Sequence, residues 1–78
     1  MDAILGSLLL VPFNWAPQGW LPCNGMVMQV NQNAALFSLL GTQFGGDGHS
    51  TFALPKLEAP AANLHWIICT QGMYPSRP

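Results

Sequence analysis

Apolar positions in this chain gather in three blocks, separated by polar stretches rich in glycine, proline and asparagine. The first block, residues 3–13, is almost continuously aliphatic; Gly6-Ser7 interrupts it and Pro12 closes it. A run without alternation predicts a strand covered on both faces and bent at Gly6, although a short helix fits the same periodicity. The second block repeats at helical spacing through Leu36, Leu39 and Leu40. Asn31 is placed to cap its start and Gly41 to stop it in the left-handed conformation, so the pattern predicts one helix over about residues 32–40. Phe37 lies off the stripe, which widens the apolar arc and calls for cover on two sides. The third block, Trp66 to Gln71, is β-branched and aromatic and predicts a closing strand.

The intervening segments punctuate too often for regular structure. Pro17, Gly19, Pro22 and Asn24-Gly25 break up residues 14–25. Asn24-Gly25 predicts a two-residue hairpin joining Leu21-Pro22-Cys23 to Met26-Val27-Met28, because both turn positions tolerate positive φ. Residues 42–60 read as an irregular loop with a brief extended piece at 52–54. The sum is a single α+β domain over 1–78. It is small and loop-rich, with a few mainly antiparallel strands around one short helix. Parallel strands need longer crossovers than these connections provide. The first and last strands are placed to pair with each other or across a subunit boundary, and such edges are templates for association.

Composition adds the oligomer. Half of the 78 residues are apolar and only 6% are charged, against roughly 25% charged in an average soluble domain. A domain this small cannot bury that much apolar surface alone. The chain is therefore expected to be intertwined with copies of itself, with Leu8, Leu10, Phe13, Leu36, Leu39, Leu40, Trp66 and Ile68 shared between the core and the subunit interfaces. Lys56 and Arg77 are the only cations and the net charge is −1. That leaves no footprint for a phosphate backbone and argues against nucleic-acid partners. The longest apolar run, Leu8 to Phe13, contains Pro12 and falls short of the ~20 residues of a membrane-spanning helix. Met1-Asp2-Ala3 shows no Sec signal peptide, so an extracellular destination implies lysis or a dedicated route.

Reactive chemistry finds little support. Asp2, Asp47 and Glu58 are the only acids. Neither Asp47 nor Glu58 lies in a segment apolar enough to raise its pKa for acid/base work. Asp47 reads as a turn residue bonding the backbone of its own glycine loop. Gly45-Gly46-Asp47-Gly48-His49-Ser50-Thr51 lacks the lysine of a phosphate-cradling loop; its glycines permit close backbone approach. Cys23, Cys69, His49 and His65 lack zinc-ligand spacing, and nothing sets a histidine beside Cys23 as a base. Neither a catalytic residue nor a cofactor is expected. Two lone cysteines are either buried thiols or one Cys23–Cys69 disulfide, which would imply an oxidising destination. Trp15, Trp20 and Trp66, with Phe13, Phe44 and Tyr74, serve either core and interface packing or a sugar-stacking platform. Base stacking would need a basic groove beside them.

Five short signatures follow one another in order. They are Pro17-Gln18-Gly19-Trp20, Cys23-Asn24-Gly25, Leu36-Phe37-Ser38-Leu39-Leu40-Gly41, Gly45-Gly46-Asp47-Gly48 and Phe52-Ala53-Leu54-Pro55. With Ile4-Leu5-Gly6-Ser7 before them and Gln71-Gly72-Met73-Tyr74-Pro75-Ser76-Arg77 after, the chain resembles the phage tail-collar domain family, which includes proteins called microcystin-dependent. Where members continue Leu-Pro-Asp-Leu-Arg-Gly-Arg into a long insertion, this chain has Leu54-Pro55-Lys56-Leu57-Glu58 and proceeds directly to its last strand. It is similar to a minimal form lacking that insertion, the region that resembles a receptor-binding head in short tail fibres.

The resemblance implies a structural, non-enzymatic protein of a virion, tail-like particle or extracellular fibre, and implies a trimer or stacked trimers. Heterologous contacts that do not close would give a filament. In some tail-collar fibres alternate histidines from three chains hold a metal on the axis; here only His49 lies near that loop, and Thr51 takes the place of its partner. The alternative from another class is a receptor- or glycan-binding tip that uses Trp15, Tyr74, Asp47 and His49.

Overall fold

The last apolar block forms the strand around which the others assemble. The computed structural model describes residues 3–76. In it β1 (Leu8–Val11), β2 (Trp20–Pro22) and the five-residue strand His65–Cys69 make a three-stranded sheet with the last strand in the middle. Two further strands, β3 (Val27–Gln29) and β4 (Thr51–Ala53), pair separately, and the helix α1 (Ala34–Leu40) stands between them in the chain, so His65–Cys69 is β5. All three pairings are antiparallel. The domain is α+β and loop-rich, as the pattern predicts, and the expected pairing of the first and last strands is present as β1 with β5.

Position in the sheet decides burial. β5 has a neighbour on each side, Leu9 and Pro22 flanking Ile67, Leu8 and Leu21 flanking Ile68, and Ile67, Ile68 and Cys69 are all buried. β1 has one neighbour. The expectation that it is covered on both faces fails in the single chain, where Leu8 and Leu9 are exposed, Leu10 is half-buried and Val11 alone is buried. The bend expected near Gly6 is present as a turn at Leu5-Gly6.

No hairpin forms at Asn24-Gly25. The chain instead runs on through this point from one sheet into the other. β2 pairs with β5, β3 with β4, and an antiparallel bridge between Asn24 and Lys56 continues the β3–β4 register outward. Cys23, between the two sheets, bonds toward both. Its N–H donates to the Trp66 carbonyl (3.0 Å) and its carbonyl accepts from the Leu57 N–H (3.0 Å). The Asn24 side chain caps the change of direction by accepting from the Met26 N–H (3.1 Å), and Gly25 takes φ 83°. Local turn propensity is satisfied, but the flanking segments find better partners elsewhere.

The helix also differs at its start. The first turn is a 3-10 turn, Val30–Gln32, which displaces the N-cap of α1 to Asn33. Asn31 caps nothing. Asn33 donates from Nδ2 back to the Gln29 carbonyl (3.0 Å), so no side chain caps the α-helix. Gly41 ends it with positive φ as expected, but with ψ −145° rather than the left-handed value. Seven residues are too few to hold a helix by propensity. Leu36, 1% exposed, anchors it to the core.

Leu5, Cys23, Leu36, Phe52, Leu54 and Ile68 form that core, drawn from α1, from β4 and the residue after it, from β5, and from the segments just before β1 and just after β2. Burying each large aliphatic or aromatic side chain contributes about 1.5–3 kcal/mol. Phe37, half-buried, meets Phe52 at 5.4 Å between ring centroids in a tilted arrangement. Of the residues expected to be shared between the core and the subunit interfaces, Leu36 and Ile68 are buried in the single chain, Leu10, Phe13, Leu39, Leu40 and Trp66 are half-buried and Leu8 is exposed.

Cys23 and Cys69 are free and buried. The register shows why they do not bridge. Cys69 stands opposite Trp20, three residues before Cys23, a separation of roughly 10 Å along a strand that also sends the two side chains to opposite faces. A disulfide requires Cα atoms within about 7 Å. Burial pushes the Cys23 thiol up to about 11. Iodoacetamide at pH 8 is therefore expected to leave the native protein unlabelled and to label both cysteines in urea without reductant. Failure to label in urea would restore the disulfide.

Candidate functional site

The glycine-rich segment between α1 and β4 is a built loop with one organising group. The exposed Asp47 carboxylate accepts at Oδ1 from the N–H groups of His49 (2.9 Å), Ser50 (2.9 Å) and Thr51 (3.0 Å), and at Oδ2 from the Ser50 hydroxyl (3.1 Å). The Thr51 Oγ1 returns a bond by accepting from the Asp47 N–H (3.2 Å). Three converging amides need a charged acceptor on a short stem, and aspartate supplies both. The loop then lies flat on β4. A Cβ at Gly46 would stand 2.6 Å from the Thr51 carbonyl oxygen, so only glycine allows the approach.

These bonds fix the chemistry of Asp47. The Thr51 amide first, then those of Ser50 and His49, hold its carboxyl well below the ordinary carboxylate range. An ionised carboxylate has no proton to give, and here Oδ1 is taken up by three amides while Oδ2 accepts the Ser50 hydroxyl alone. It is a structural acceptor.

Beside the loop, His49, Ser50 and Thr51 face Gln29 and Asn31 across an open cleft of about 420 Å³. The sequence marks His49 but gives no sign of Gln29 and Asn31. They arrive because β3 and the 3-10 turn run antiparallel to the segment 50–53, with the Val30 N–H on the Ser50 carbonyl (2.9 Å). A second cleft of about 280 Å³ opens between Lys56–Ala59 and the start of β5, with His65 and Trp66 in its wall. The two histidines therefore line different clefts. Among the described residues no three His, Cys, Asp or Glu side chains gather as metal ligands.

The aromatic residues expected at a ligand platform do not converge. Trp15 is 63% exposed and stacks on Phe13 at 4.3 Å between centroids, in the connection between β1 and β2. Tyr74 is 55% exposed. It is tethered to the helix by a 2.7 Å bond to the Ser38 hydroxyl, whose own proton goes to the Ala35 carbonyl (2.6 Å), so Tyr74 is the donor. Neither ring lines the polar cleft. Arg77 and Asp2, which complete the charge inventory, lie outside the described residues.

Residues 6–61 match the family model described as Phage Tail Collar Domain. No curated protein matches the chain, and no solved structure does. The matched span covers most of the chain, and the protein belongs to the phage tail collar domain family, whose role is structural, in the phage tail. No helix of the described residues is long and apolar enough to cross a membrane.

Replacing Asp47 by alanine is expected to release the amides of residues 49–51, raising their hydrogen exchange by at least tenfold while β5 stays protected. The pH dependence has a fixed sign: a depressed carboxyl contributes stability above its unfolded value of 3.8, and that contribution fades as pH falls below it. In NMR spectra the His49, Ser50 and Thr51 amides should hold their positions from pH 7 to about 4 and move only below. A transition centred near pH 4 to 5 would show that the bonds do not persist in solution.

Proposed function

We propose that this tail collar protein is a self-assembling structural component of a phage-tail-like particle or extracellular fibre, acting as a homo-oligomer built of trimers that stack. One observation carries the reading: the edge strand β1 is apolar on both faces and exposed. Leu8 is 43% and Leu9 49% exposed, and they point to opposite sides of the sheet. Ile4 and Met73, bridged to each other, add 54% and 59% exposed side chains nearby. An edge this apolar carries none of the charges that keep free strands apart, and such edges associate. The family supports a tail-fibre setting.

A second reading, a receptor- or glycan-binding tip, is favoured by the polar cleft at Gln29, Asn31 and His49, whose amides and imidazole suit neutral polar ligands. The exposed rings of Trp15 and Tyr74 would serve it only if assembly brought them to that cleft.

Lysine at Leu9 places a charge on an exposed position, which costs the fold within about 0.5 kcal/mol. Leu9→Lys is expected to abolish the oligomer or filaments seen for the wild type by negative-stain electron microscopy. Unchanged particles in the Leu9→Lys protein, with a glycan array giving specific binding that a His49→Ala substitution removes, would favour the tip reading.

A further inference from the structure

Beyond β4 the ribbon ends in a second edge. Lys56 stands opposite Asn24, and the bridge is closed by the Gly25 N–H on the Pro55 carbonyl (3.3 Å) and the Leu57 N–H on the Cys23 carbonyl (3.0 Å). Those two bonds fix the phase of the backbone. Because the Pro55 carbonyl and the Leu57 N–H turn inward, the N–H and carbonyl of Lys56 point outward, and Glu58 follows two residues on, past the last ladder bond. Neither amide has a backbone partner among the described residues. Nearer the loop the same edge is occupied, the Ala53 N–H donating to Gly45 (3.1 Å). At Lys56, Leu57 and Glu58 the chain is exposed.

Charge falls in the same place. Asp47, Lys56 and Glu58 are the charged residues of the described chain other than histidine, and Asp47 is bound to its own loop. The two uncommitted charges are of opposite sign and flank one leucine, which is 37% exposed. Lys-Leu-Glu is self-complementary when read antiparallel. Two copies related by a two-fold axis at Leu57 place each lysine opposite the glutamate of the other copy, and in that register the outward N–H and carbonyl of Lys56 face Glu58 of that copy. Parallel pairing would set lysine against lysine.

We propose that Lys56-Leu57-Glu58 is an isologous contact through which two copies of this chain add strand to strand, with Lys56 of each facing Glu58 of the other. The occupant of this edge is a second copy because the charge pattern complements itself. The inference deepens the self-assembly reading and rests on it, but uses a different edge. A two-fold contact here and a separate contact through β1 link small rings into a larger assembly.

Charge exchange tests it by sedimentation velocity at low salt. Lys56→Glu and Glu58→Lys are each expected to weaken the two-fold step about a hundredfold, because two attractive pairs become repulsive. An equimolar mixture of the two single variants restores association, since each then offers what the other lacks, and so does the double exchange. Sodium chloride at 1 M weakens the wild-type contact. Single variants that associate like the wild type, or a mixture that stays apart, overturn the proposal. The Leu9→Lys background separates the two contacts: if only the β1 contact is wrong, Leu9→Lys leaves the two-fold pairing unchanged and Lys56→Glu still removes it. If only the two-fold contact is wrong, Lys56→Glu leaves the masses unaltered while Leu9→Lys lowers them.

Discussion

The backbone of Cys23 is the point on which the rest of the molecule depends. Its N–H is given to the sheet built on β5 and its carbonyl to the ribbon built on β3 and β4, so a single residue fixes the position of one sheet against the other. Its side chain fills the space between them, among Leu36, Phe52, Leu54 and Ile68. Neither sheet could stand alone: three short strands and a two-stranded ribbon are each too small to bury a face. Joined at Cys23 they enclose one core, and the short helix is held because Leu36 reaches into it. The thiol's burial removes it from chemistry, and its place in the core is its function.

That arrangement leaves the ends of both sheets open. β1 has no neighbour on its outer side, and the ribbon runs out at Lys56 with its backbone facing solvent. A monomeric enzyme of this size would cover such edges or charge them. Here the few charges of the described residues lie in a loop and on one edge, while Leu8 and Leu9 on β1 and Ile4 and Met73 beside it leave an exposed apolar edge. The distribution suits a part whose neighbours are copies of itself, and membership of the tail collar family places such a part in a phage tail.

Much of this was legible in the residues. β5 follows from the β-branched and aromatic character of Trp66–Gln71 and the helix from the spacing of Leu36, Leu39 and Leu40, because packing and local preference agree there. The role of Asp47 was legible too, since aspartate between glycines has few other uses. What escaped was the pairing of the middle strands. Asn24-Gly25 carries a strong hairpin signal, yet its arms bond to β5 and β4, which lie far along the chain, and no local rule reports a partner that distant. The same distance hid the cleft residues Gln29 and Asn31. Continuous apolar character in β1 predicts burial on both faces, whereas the single chain covers only part of it; an exposed apolar edge and a buried strand look alike in sequence.

Light scattering on the wild-type protein, over a hundredfold range of concentration, bears most directly on whether assembly is what this chain does. Assembly as proposed through the edges of β1 and the ribbon predicts a mass that is a multiple of the single chain and grows or plateaus as concentration rises. A mass of one chain throughout that range would contradict the self-assembling scaffold.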